Sequence, residues 1–66
     1  MNWNEQVATL RNSLKQLQTK LKRDKITGMG RENARQLVST KGISVPPSAF
    51  QRLFDEAIAD LPFFYA

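Results

Sequence analysis

The apolar positions in the first third of the chain keep a strict rhythm. Trp3, Val7, Leu10, Leu14, Leu17 and Leu21 are separated by 4, 3, 4, 3 and 4 residues. This is the heptad spacing of a coiled-coil seam, with Val7, Leu14 and Leu21 at a and Trp3, Leu10 and Leu17 at d. The intervening residues are mostly good helix formers, and neither Gly nor Pro occurs before residue 28. A helix is predicted from about 3 to 24, ending where Asp24 breaks the rhythm at the next d position.

A shorter apolar stripe follows a loop at 25–30. Ala34, Leu37 and Val38 predict a second helix over about 31–41, with Gly30 loosening the chain before it and Gly42 placed for a left-handed cap after it. In GISVPPS, Ile43 and Val45 alternate with a polar residue and two prolines forbid a continuing helix, so 42–47 is expected to be an extended link. Phe50, Leu53, Phe54, Ala57, Ile58 and Leu61 then fall at i, i+3, i+4, i+7, i+8 and i+11. That wide stripe suits a helix packed into a core, over about 48–61, with Ser48 and Gln51 as a capping box and Pro62 as its stop. The tail at 62–66 holds three consecutive aromatics, Phe63, Phe64 and Tyr65.

The expected fold is all-α: one small three-helix domain, with a long N-terminal helix carrying a heptad seam and two shorter helices. At about 1.5 Å per residue the first helix would be roughly 30 Å long and the others about 16 and 20 Å. One helix outruns its cover. A second copy of the chain is an economical supplier of what is missing, which makes a homodimer the expectation and Trp3, Val7, Leu10, Leu14 and Leu17 its interface. The alternative is that the second helix and the aromatic tail cover the remainder within one chain. In a parallel pair Gln6 would face Arg11, Ser13 would face Gln18 and Lys20 would face Lys25. None of these attracts, so an antiparallel or offset pairing is favoured.

Composition bears on stability and setting. A chain of 66 residues buries a small share of its surface and needs a staple, yet Cys and His are both absent. Disulfides and imidazole or thiolate metal sites are therefore excluded. No apolar run approaches a membrane span. The start, Met1 followed by Asn2, Asn4, Glu5 and Gln6, is unlike a signal peptide, so a soluble cytoplasmic protein is expected, with no membrane partner.

The net charge of +4 is unevenly spread. Residues 11–35 hold eight positive groups against Asp24 and Glu32, while from 36 onward two positive groups face three acids. The stretch LKRDKITGMGREN, 21 to 33, combines six charged side chains with two glycines. Basic patches of this density suit phosphate-rich partners or acidic protein surfaces, and equally serve as solvated faces.

Catalysis has little to work with. There is no nucleophile beside a plausible base, and Asp55, Glu56 and Asp60 lie along one acidic helix where Glu56 and Asp60 repel at i, i+4. No enzyme, cofactor, metal or small-molecule substrate is expected. TGMGRENA superficially suggests a phosphate-cradling loop, but no strand precedes it, Asn33 replaces the third glycine, and no Gly-Lys-Ser/Thr follows. Residues 31–61 loosely resemble a helix-turn-helix, with Ala34, Leu37, Gly42 and Ile43 ahead of Ser48, Phe50 and Leu53. The link is long for that motif and the second helix exposes Asp55, Glu56 and Asp60, which would repel a nucleic-acid backbone.

Two functional readings remain. In the first, a small basic helical regulator or accessory protein contacts nucleic-acid phosphates through Lys20, Lys22, Arg23, Lys25, Arg31 and Arg35, with the glycines allowing close backbone approach. In the second, a helical adaptor or inhibitor docks on a larger protein through its seam or through Phe63, Phe64 and Tyr65. The first is preferred, by a narrow margin.

Overall fold

The computed structural model describes residues 2–66. Helix α1 spans Trp3–Arg23, strand β1 Met29–Gly30, helix α2 Arg31–Leu37, helix α3 Pro47–Ile58 and strand β2 Phe64–Tyr65. The three helices follow the expected order, and the architecture is mainly helical with one small parallel strand pair, β1 with β2, added.

Helix α1 is closed at both ends by local chemistry. Asn2 caps its start, its side chain accepting from the Glu5 N–H at 2.8 Å, and Glu5 complements the positive helix end. At the other end the Lys25 N–H donates to the Lys22 carbonyl and the Ile26 N–H to the Leu21 carbonyl, both at 3.0 Å. These two bonds define a Schellman motif, and they require Lys25 in the left-handed region at φ 65°.

The main packing is α1 against α3. Leu10 and Leu14 of the heptad stripe and Leu53, Phe54, Ala57 and Ile58 of the wide stripe are completely or almost completely buried. Each large apolar side chain so buried contributes roughly 1.5–3 kcal/mol. Leu21, Ala34, Val38, Leu61, Phe63 and Phe64 continue the same cluster, with Trp3, Val7, Leu17, Ile43, Val45 and Phe50 half-buried around it. Polar bonds tie the ends of α3 and α1 together. The Arg11 guanidinium donates to the Ala57 and Glu56 carbonyls at the C-terminus of α3 and pairs with Asp60 at 3.5 Å. The Trp3 indole N–H donates to Glu56, and the Arg52 guanidinium lies over the indole ring at 5.6 Å. Glu56, near the end of α3, and Asp60, in the turn just after it, are thus each engaged by α1.

Two elements differ in extent from their sequence patterns. Helix α2 ends at Leu37, because Val38 turns to extended backbone (φ −70°, ψ 142°) and the Ile43 N–H closes a turn onto the Thr40 carbonyl. Gly42, at φ +86°, occupies the position in that turn where positive φ is required, rather than capping a helix. Helix α3 starts one residue early, with Pro47 at its first position and Pro46 before it, and has no side-chain cap. Ser48 therefore lies inside the helix. Gln51 bonds Asp55 and Arg35 instead of the helix start. After Ile58 the chain turns twice, and the Phe64 N–H donates to the Leu61 carbonyl around Pro62.

These turns bring the tail back to the far end of α1. Met29 pairs with Phe64 and Gly30 with Tyr65 in parallel register, and the Met29 N–H also donates to the Phe63 carbonyl at 3.1 Å. Lys22 Nζ sits 5.9 Å from the Phe63 ring centroid. The distal end of the leucine stripe is therefore enclosed within one chain, where Leu21 is buried in the same cluster as Phe63 and Phe64. The link is held from the other side. Gln6, a buried polar residue of α1, accepts the Ser44 N–H at 2.9 Å. The whole measures 34 × 19 × 18 Å, so the long axis is essentially that of α1. No helix among the described residues is long and apolar enough to cross a membrane.

Candidate nucleic-acid interface

The last turn of α1 decides how its cations are displayed. Leu21 is pinned to the core. At about 100° per residue Lys20 and Lys22 leave the helix on opposite flanks of it and Arg23 points away from the core. Lys20, Lys22, Arg23 and Lys25 are all exposed, and none forms an ion pair among the described residues, where Arg11 pairs with Asp60. They fan around the exposed arc of the helix end instead of forming one flat face. The helix itself draws them there, since cations complement the partial negative charge of its last carbonyls.

Lys22 belongs to a longer edge. Arg11, Lys15 and Lys22 are spaced i, i+4 and i+11, which stacks them along one side of α1, the side on which Asp60 meets Arg11 and Phe63 meets Lys22. Lys15 is exposed and forms no ion pair among the described residues, so it extends the basic edge. Its place there could have been read from its spacing of seven residues before Lys22.

The α2 arginines behave differently. Arg31 is half-buried, and its Nε is a buried atom with no hydrogen-bond partner among the described residues. Arg35 turns onto α3, with its guanidinium 5.6 Å from the Phe50 ring centroid and bonded to Gln51 at 2.6 Å. It therefore stands away from the helix-end cations and borders an open groove of about 320 Å³ lined also by Thr40, Ile43, Val45, Pro47 and Phe50.

The glycines are not an open cradle. A Cβ at Gly28 would meet the Phe63 carbonyl and Tyr65 Cε2, each at 3.3 Å, and one at Gly30 would lie 3.8 Å from Tyr65 Cε1. The tyrosine ring lies across both glycines and occupies the space through which a phosphate was expected to approach the backbone. Absence of Cβ atoms here serves ring packing.

Of the residues expected at an oligomer or partner interface, Leu10, Leu14, Phe63 and Phe64 are buried inside the chain. Trp3, Val7 and Leu17 are half-buried against the same core, and Tyr65 remains 58% exposed. Exposed apolar surface also remains at Leu37, which the stripe of α2 placed on its inner face, and at Ile26, which no apolar pattern singles out. No family model, no curated protein and no solved structure matches the chain.

Proposed function

We propose that the protein is a non-catalytic nucleic-acid-binding accessory factor that contacts phosphates through the cationic end of α1. The observation carrying this reading is the cluster of exposed cations at the end of α1. Lys20, Lys22, Arg23 and Lys25 stand exposed, form no ion pair among the described residues and outnumber the exposed Asp24 in their midst, while Glu56 and Asp60 are engaged by Trp3 and Arg11 of α1. Lys15 extends the basic surface. Arg35, engaged by Phe50 and Gln51, is left out. The contacts are of the kind that position a backbone without reading sequence, so binding is salt-sensitive and weakly selective. The reading needs no second copy, because Leu10, Leu14 and Leu21 are covered within one chain. Sedimentation at micromolar concentration addresses a homodimer separately.

The test is a titration with duplex and single-stranded oligonucleotides at two salt concentrations. A variant with Lys15, Lys22, Arg23 and Lys25 changed to Gln is measured alongside. For every phosphate that the variant no longer neutralises, the slope of log affinity against log salt falls by roughly 0.7 on single strands and 0.9 on duplex, so the variant should show a slope shallower by up to about 2.8 and 3.6 respectively. No binding at low salt refutes the proposal and favours an adaptor that docks a protein in the groove beside Phe50.

A further inference from the structure

The exposed Tyr65 ring has an unusual support. Its inner face rests on Gly28 and Gly30, two positions without side chains, and its backbone is fixed by pairing with Gly30. Phe64, its neighbour, is buried and anchors the strand in the core. The ring is held from beneath while more than half of the residue remains open to water.

Cations stand close by. Phe63, two residues before Tyr65, has Lys22 Nζ 5.9 Å from its ring centroid, so the tyrosine lies at the cationic end of α1, where Lys20, Arg23 and Lys25 are also exposed. A supported aromatic face beside exposed cations combines what single-stranded nucleic acid requires: a surface on which a base can stack and positive charge for the adjoining phosphates. Duplex does not present its base faces.

Resting on the phosphate-binding reading above, we infer that Tyr65 is a stacking platform for an unpaired base and that the ligand is single-stranded nucleic acid, with Lys22 and the neighbouring exposed cations of the α1 end serving the adjoining phosphates. Hydrogen bonds to base edges play no part, so any base is accepted.

The wild-type protein is titrated with labelled oligothymidylate, with an abasic deoxyribose phosphate strand of equal length and with a duplex, at two salt concentrations. The base-bearing strand should bind about tenfold or more tightly than the abasic one, and more tightly than the duplex. Tyr65→Phe should keep that preference. Tyr65→Leu should lose it while retaining abasic affinity and salt slope. Ring protons of Tyr65 in the wild type should shift upfield on adding the base-bearing strand only, a readout that needs no variant to fold. Equal affinity for base-bearing and abasic strands, or an unchanged preference in Tyr65→Leu, overturns the stacking platform while the phosphate reading stands. Failure of every strand to bind at low salt sinks both.

Discussion

Replacing Lys25 by glycine should leave the protein about as stable as wild type, whereas replacing it by alanine should destabilise it. Lys25 closes α1 at φ 65°, a conformation costing an L-residue about 1–2 kcal/mol and glycine almost nothing. Against this gain stand the greater freedom of glycine in the unfolded chain, about 0.4–1 kcal/mol, and the missing attraction between a cation and the helix end, about 0.3–1 kcal/mol. The informative comparison is therefore with Lys25→Ala, which removes the same charge but keeps the strained backbone. Lys25→Gly should exceed Lys25→Ala by about 1 kcal/mol. For a domain of this size that is roughly 4–8 °C in melting temperature, or about 1 M in urea midpoint at an unfolding slope of about 1 kcal/mol/M. Trp3, half-buried beneath Arg52, supplies the fluorescence signal, and circular dichroism supplies an independent one. Coincident curves for the two variants, or a less stable glycine variant, would show that residue 25 does not adopt the left-handed conformation and that α1 ends some other way.

Other substitutions probe other parts of the fold. Leu14→Ala, at a fully buried site, should cost about 2–5 kcal/mol out of a total near 3–10 kcal/mol. A thermal melt within a few degrees of wild type would contradict its burial. Gln6→Ala removes the acceptor for the Ser44 N–H and should cost about 1–3 kcal/mol, with faster hydrogen exchange at Ser44 than at amides within α1. Arg11→Gln, by contrast, should cost no more than about 1 kcal/mol in a urea titration. Its ion pair to Asp60 is open to water on the Asp60 side and half-buried on the Arg11 side, although the substitution also removes its bonds to the α3 carbonyls. A larger cost would mean that these carbonyl bonds, rather than the ion pair, secure the end of α3.

What the chain declares about itself depends on how local each cause is. The stripes of α1 and α3 are readable because burial against a partner helix imposes a period of 3.6 on many residues at once. The end of α2 is harder, since Val38 extends an apolar stripe while its backbone has already left the helix. The strand pair has no local signature. Residues 29–30 and 64–65 become strands only by meeting each other, and a two-residue pairing leaves no alternation to detect. The candidate interface divides in the same way. The exposure of the α1 cations follows from their places around Leu21. The diversion of Arg35 to Phe50 and the seating of Tyr65 on Gly28 and Gly30 depend on tertiary proximity.

The parallel register between residues 29–30 and 64–65 also imposes a timetable. During synthesis, α1 can coil soon after Arg23 is made, but residues 29–30 have no strand to pair with until 64–65 exist. At roughly 5–20 residues per second that wait lasts a few seconds. A chain cut short before residue 64 never forms the pair, so messages truncated even slightly upstream should yield products that are less stable and more quickly degraded.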